Sequence, residues 1–147
     1  MFYKALYHLH SYWAYLVLLI VLLATLNALV GLIGKRPFAA RDFRISLFGL
    51  IVTHIQLLIG LILFFVSPKI QWFNENVGVS EIMKNETMRL YNVEHPVMMI
   101  LAVVLITIGY SRHKKKLTSG AKFKQLSVFY VLASIAILAM LPWNAWF

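Results

Sequence analysis

The chain has 147 residues, of which 61% are hydrophobic and 13% are charged, and it contains no cysteine. Soluble domains carry about 45–50% apolar and about 25% charged residues, and a chain this short cannot bury so much apolar surface in a globular core. The composition therefore excludes an ordinary soluble enzyme and a disordered chain and indicates a membrane protein, while the lack of cysteine excludes disulfides and thiolate metal sites.

Four apolar segments are long enough, or nearly long enough, to cross a hydrocarbon layer, which takes roughly 20 residues. In chain order they are about 12–34, 45–66, 91–110 and 126–143. The first apolar run is too long for a typical signal peptide and lacks a small-residue cleavage site, so we expect a retained span. Ser67-Pro68 ends the second segment because proline cannot continue a helix. The sequence predicts an all-α fold, a four-transmembrane-helix bundle that forms a single membrane domain over residues 1–147.

The positive charges predict an orientation. Ten of the 14 lysines and arginines lie in two short connections, 35–44 and 112–124. Short cytoplasmic loops carry such an excess, so we expect these loops in the cytoplasm and both termini on the non-cytoplasmic side. All four tryptophans fall on that outer side, as interfacial anchors do. The net charge of +9 therefore indicates topology and contact with anionic lipid, not nucleic-acid binding.

The outer connection from Ser67 to Leu90 is the only long one. Within it, residues 79–90 (VSEIMKNETMRL) have the pattern of a short amphipathic helix that lies at the membrane surface. We find no internal repeat and no phosphate-binding loop, so the candidates for chemistry are the few polar residues in or near the spans.

His54 is the most informative of these polar residues. It lies about nine residues, hence roughly 13 Å, from the inner end of its helix, which is close to the middle of the bilayer. An imidazole at that depth needs a partner for each ring nitrogen. One interpretation is a hydrogen bond to a neighbouring helix, through Asn27 or a carbonyl. The other is an axial ligand to haem iron, together with a histidine on the next span.

His95 opens the third span in the sequence YNVEHPVMM. Pro96 disfavours helical geometry at the preceding residue and suits a first turn, so the helix either begins or kinks here. Glu94 can accept a hydrogen bond from an imidazole, and such a partner orients ligating histidines. The alternative is a Glu-His pair that faces water at the interface.

Depth along the helices ranks the possible ligand pairs. We predict His54 with His95 ahead of His10 with His95, although both pairs leave an axial offset of roughly 10 Å before helix tilt. A second hypothesis is an outer-face copper or zinc site made by His8, His10 and His95 with Glu94. His8 and His10 share a face only if their segment is extended and point apart if it is helical. His113, inside the basic run, is expected to contact solvated headgroups.

Three segments carry a family resemblance: HLHS, THIQLLIGLILFFVSPK and VEHPVMMILAVVLITIGYSRHKK. They resemble small four-helix bacterial membrane proteins of the cytochrome-b-like type. The wider class is similar to the haem-binding bundles of cytochrome b561-type proteins, copper-resistance membrane proteins and haem A synthase. The resemblance implies a single haem b held by histidines that project into the bundle, at the matching positions His54 and His95, with His10 as the candidate from the first helix.

The same resemblance implies a function and a location. We expect one-electron transfer in or near a respiratory chain, in a multi-pass protein of the bacterial inner membrane, with a quinone or a membrane redox protein as partner. Two other functions fit the sequence. One is a non-enzymatic subunit that stabilises or docks a larger membrane complex, in which the histidines are packing groups. The other is a protein that handles copper or zinc at the outer face.

Overall fold

The computed structural model describes residues 1–147 and is all α. Its helices are α1 (Phe2–Ile33), α2 (Ala40–Val66), α3 (Val79–Lys84), α4 (Glu86–Arg89), α5 (His95–His113) and α6 (Ser119–Ala139). A π-turn over Leu90–Glu94 joins α4 to α5, and a 3₁₀ turn over Trp143–Ala145 follows α6. Four helices are long and apolar enough to cross a membrane: α1, α2, the continuous stretch Glu86–His113, and α6. The prediction of an all-α fold with four such helices is confirmed.

The four long helices form a closed ring in the order α1, α2, α5, α6, so that each packs against two neighbours. The pairs joined by short loops, α1 with α2 and α5 with α6, share the most contacts, and α2 with α5 share the fewest. Large apolar side chains are exposed along all four helices. Because water would not tolerate so much exposed apolar surface, the surroundings of this bundle are lipid.

Small residues bring the helices together. The buried positions on the contact faces include five alanines, Ala24, Ala28, Ala102, Ala133 and Ala136. At Gly109 of α5 an added Cβ would stand only 2.5 Å from Cβ of Phe129 on α6. Without a hydrophobic driving force between helices in lipid, such close approach supplies the dispersion energy that holds them together.

Buried polar groups in the core are satisfied by neighbouring helices. The hydroxyl of Tyr130, which is fully buried, donates to the carbonyl of Ser46 on α2 at 2.6 Å. The hydroxyls of Thr25 on α1 and Ser134 on α6 lie 3.0 Å apart. These bonds tie α6 to α1 and to α2, and they fix how the helices are rotated against each other.

A buried carboxylate closes the connection between α1 and α2. Asp42 is 1% exposed and accepts hydrogen bonds from the side chains of Asn27 and Arg36 and from the backbone N–H of Ala39. The guanidinium of Arg36 also donates to the side-chain oxygen of Asn27 at 2.9 Å. Because a buried charge is stable only when it is paired and hydrogen-bonded, this cluster fixes the end of α1 and the start of α2 against each other.

Several helix boundaries differ from those predicted, and α2 begins at Ala40 instead of near residue 45. α1 begins at Phe2, about ten residues earlier than predicted, because no residue between Phe2 and Tyr12 breaks a helix. Its 32 residues span about 48 Å, which is longer than a hydrocarbon layer of about 30 Å. α6 begins at Ser119, where the Thr118 side chain accepts from Ala121 N–H, and it ends at Ala139 instead of near 143. Pro142 explains that early end because it disfavours helical geometry at Leu141.

The long connection Ser67–Leu90 is more structured than a single surface helix. The predicted helix over 79–90 is divided at Asn85, whose side chain accepts from the N–H of Met88 and so starts α4. Ile82 of α3 is 1% exposed and anchors this segment. Since α4 runs through the π-turn into α5, the third membrane helix begins at Glu86, five residues before the predicted span.

Candidate functional site

A cavity of about 310 Å³ opens between α1, α2, α5 and the segment after α6, at the end of the bundle remote from the two basic loops. Most of its lining is hydrophobic, and the polar side chains in it are His10, Ser11, Thr53, Gln56, Ser67, Lys69, Tyr91 and His95. Cofactor and ligand pockets measure roughly 300–1,000 Å³ and combine an apolar wall with a few polar groups, as this one does.

His95 is oriented by the segment that follows α6. Its Nδ1 lies 2.8 Å from the carbonyl oxygen of Met140. A carbonyl can only accept, so Nδ1 carries the proton and Nε2 keeps its lone pair. Nε2 makes no hydrogen bond within the protein. One ring nitrogen of His95 is thus fixed by a backbone oxygen and the other is available, so this side chain could hold a metal or a polar ligand group.

The backbone before His95 is distorted in a way that Pro96 requires. Proline has no N–H, so the carbonyl of Asn92, four residues earlier, lacks its helical partner. The indole N–H of Trp72 donates to that carbonyl at 2.9 Å. The buried Asn92 side chain accepts from the N–H of Gln71 and donates to the carbonyls of Lys69 and Met88. The π-turn is thus held by hydrogen bonds from the long connection Ser67–Leu90, and His95 follows it as the first residue of α5.

His10 approaches the cavity from α1. The side-chain amide of Gln56 on α2 donates to the carbonyl of His10 at 2.9 Å. Gly60, one turn further along α2, faces the ring, and a Cβ there would lie 3.1 Å from Cε1 of His10. Nδ1 of His10 and Oε1 of Gln56 are both buried and have no hydrogen-bond partner. Buried polar atoms without a partner are uncommon in native proteins, so these two could accept a hydrogen bond from a ligand or a water in the cavity.

The structure brings His10 and His95 together across the cavity. Their ring centroids are 6.2 Å apart with an angle of 81° between the planes, and no hydrogen bond joins them. Two imidazoles on opposite sides of one metal ion, each bound at about 2 Å through a nitrogen, have ring centroids about 6 Å apart. The separation of these two rings is thus large enough for one ion between them.

His54 is placed elsewhere. Its Nδ1 lies 2.8 Å from the carbonyl of Leu50 on its own helix, and its Nε2 lies 3.4 Å from the hydroxyl of Thr107 on α5. It does not line the cavity that holds His10 and His95. Of the two predicted pairs, the geometry thus assembles His10 with His95 and leaves His54 in the interhelical packing role that was its alternative.

Glu94 and His8 do not take the positions expected of them. Glu94 accepts from Arg89 at 2.7 Å, and the carbonyl of Met140, not this carboxylate, orients His95. His8 is exposed and stacks on Tyr12, at ring centroids 6.1 Å apart. Because α1 is helical from Phe2, His8 and His10 point to different faces. No group of three or more His, Cys, Asp or Glu side chains that could hold a metal ion is present, so the copper or zinc hypothesis lacks its ligand cluster.

His113 also differs from its expectation. It is 1% exposed, not solvated, and it packs against the rings of Tyr110, Phe38 and Phe43 at the C-terminal end of α5. Its Nδ1 donates to the carbonyl of Tyr110. The neighbouring charges in the run Arg112–Lys116 suggested exposure, but the helical turn carries His113 to the inward face while Arg112 and Lys114 point outward.

Gln56 and Met140 are the site residues that reasoning from the sequence missed. Gln56 is a polar residue within a span, and such residues often have a function. Its partner, the carbonyl of His10, depends on how α1 and α2 pack, which the sequence does not show. Met140 acts through its backbone oxygen, which every residue possesses, so no sequence pattern could have indicated it.

Comparison with protein-family models, with curated proteins and with solved structures finds no match for the chain. The function therefore rests on the geometry of the cavity and on the chemistry of the side chains around it.

Proposed function

We propose that this membrane bundle binds one b-type haem between His10 and His95 and transfers single electrons. The observation that carries the proposal is the pair of imidazoles from α1 and α5, 6.2 Å apart across an apolar cavity. The unpartnered Nδ1 of His10 and the free Nε2 of His95 support it, because axial ligands need an available ring nitrogen.

The residues fit this cofactor in three respects. His10 and His95 offer one imidazole each from opposite sides, which is a familiar axial pair for haem iron. The carbonyl of Met140 keeps the proton of His95 on Nδ1. The lone pair of Nε2 therefore stays available to bind the metal. The apolar wall, with residues such as Val103 and Leu141, excludes water and lowers the local dielectric. When bound, haem supplies a one-electron Fe(III)/Fe(II) couple, whose potential this surrounding would tune.

The place of the cavity supports an outer-side electron acceptor. The cavity is lined by Lys69 from the long connection and by Trp146 from the chain end, both at the end of the bundle opposite the basic loops. If those loops are cytoplasmic, the cofactor lies near the outer face of the bacterial inner membrane. Electrons from a quinone or a membrane dehydrogenase would then leave toward an acceptor on that side.

The proposed orientation predicts a labelling pattern. The chain has no cysteine, so single cysteines at Ala40, Leu117 and Glu75, all exposed, report their location without background. With a membrane-impermeant thiol reagent on intact cells, Glu75→Cys should be labelled, while Ala40→Cys and Leu117→Cys should react only after the membrane is opened. The reverse pattern would place the basic loops outside and overturn the orientation.

The visible spectrum of the purified protein tests the proposed function directly. We expect a Soret band that shifts and sharpens on reduction with dithionite, with the low-spin form typical of two imidazole ligands. Haem extracted into pyridine should give about one equivalent per chain. A colourless protein after expression with ample haem would refute the proposal and favour the docking subunit. Bound copper or zinc without colour would favour the metal-handling alternative.

A further inference from the structure

Lys69 lies at the opening of the cavity and forms no ion pair with an acidic side chain. Lys69 lines the cavity at its outer end, and the ion pairs of the protein are Arg36 with Asp42 and Arg89 with Glu94. The other outer cations, Lys4, Lys84 and Arg89, do not line the cavity. A charged group beside an apolar pocket restricts what the pocket accepts, because it favours a ligand that brings the opposite charge to that point.

The position of this ammonium group is fixed from two directions. The carbonyl of Lys69 accepts from the buried Asn92 side chain at 3.1 Å, and the N–H of Lys69 donates to the Ser67 hydroxyl at 3.3 Å. Its Nζ lies 4.3 Å from the ring centre of Tyr91 and 5.4 Å from that of Tyr7. The backbone is anchored and the ammonium lies against two aromatic rings, so part of the side-chain entropy is already lost before an anion binds, although Lys69 is exposed.

We infer that Lys69 is a carboxylate-binding residue, which selects a flat apolar ligand with an acidic edge and orients that edge toward the outer face. This inference rests on the proposed function: for haem, the group bound is a propionate carboxylate, while His10 and His95 contact the centre of the same ligand. The remainder of the cavity lining holds no other cation, so Lys69 alone defines which edge of the ligand faces outward.

The test compares haemin with haemin dimethyl ester, in which both propionate carboxylates are converted to neutral methyl esters, in titrations of the full-length apoprotein followed by the Soret band. The wild type should bind haemin about fivefold more tightly than the ester, the upper range for an ion pair open to solvent. Lys69→Met keeps an apolar stem against Tyr7 and Tyr91 and should bind both ligands equally. Lys69→Arg should restore the preference, and the control Lys84→Met, at an exposed lysine of the same connection, should leave it unchanged.

The outcomes separate the two proposals. If the wild type binds neither ligand, there is no haem site and both proposals are wrong. If it binds both with a low-spin spectrum and Lys69→Met keeps the preference for haemin, the haem site stands and the role of Lys69 is wrong. Equal binding of haemin and its ester by the wild type would equally overturn the role of Lys69.

Discussion

Replacing His95 with alanine should remove the haem from the purified protein. His10→Ala should also remove it, or should leave a small fraction of bound haem with a high-spin spectrum. Loss of a partner that merely orients a ligand costs roughly 10–100-fold in metal affinity, so loss of the ligand itself should exceed that. The effect should be larger for His95, because His95 is held in one tautomer by the Met140 carbonyl while the ring of His10 has no such bond at Nδ1. Haem content per chain and the reduced spectrum measure both variants.

Two matched histidines provide the controls. His8→Ala removes an exposed imidazole from the same helix as His10 and should leave the haem content unchanged. His54→Leu should also keep the pigment and should be harmless or stabilising, since it exchanges a polar packing group for an apolar one. Loss of pigment in His54→Leu with retention in His10→Ala would assign the iron to the mid-span histidine and contradict the proposed pair.

The second large effect concerns the close contact between α5 and α6. Gly109→Ala adds a single Cβ, which would stand 2.5 Å from Cβ of Phe129 and 3.2 Å from its Cγ. The Cβ of Phe129 moves only with its backbone, so rotation of a side chain cannot relieve the clash and the two helices must separate. Overpacking of this kind costs about 1–3 kcal/mol. The midpoint of unfolding in mixed micelles of mild detergent and dodecyl sulfate measures the loss.

Gly120→Ala is the matched control, since a Cβ at Gly120 meets no atom within 4 Å. Alanine is favoured over glycine in helices by up to about 1 kcal/mol, so this variant should be as stable as the wild type or more stable. The two substitutions are chemically identical and should shift the midpoint in opposite directions. A stabilised Gly109→Ala variant would show that α5 and α6 lie further apart than the structure places them.

Hydropathy alone was enough to predict the number of membrane helices, because a span must be both long and apolar. It located the boundaries less well, since the first ten residues of α1 are helical without being a continuous apolar run. Pro96 illustrates a different difficulty. The sequence predicted that the helix begins or kinks there, and the structure accommodates the proline with a π-turn whose free carbonyl is bound by Trp72, a partner 20 residues away in sequence.

The structure brings together one of the two histidine pairs that were predicted from the sequence. His95 and His10 were both selected from sequence, but the ranking placed His54 ahead of His10 because His54 lies deeper in the bilayer. Depth is a coordinate along one helix, whereas a shared site also depends on which faces of two helices meet. Helices that are apolar all round carry little of that information, because their periodicity does not distinguish a face toward lipid from one toward another helix.

The bond between His95 and Met140 has a consequence for the order of assembly. Helices enter a membrane in the order of their synthesis, so α1, α2 and α5 are in place before the residues that follow α6. Until the Met140 carbonyl arrives, the His95 ring is free to rotate and to exchange its proton between the two nitrogens. If the proposed haem is bound, we therefore expect the finished bundle, and not a nascent three-helix intermediate, to be the form that binds it.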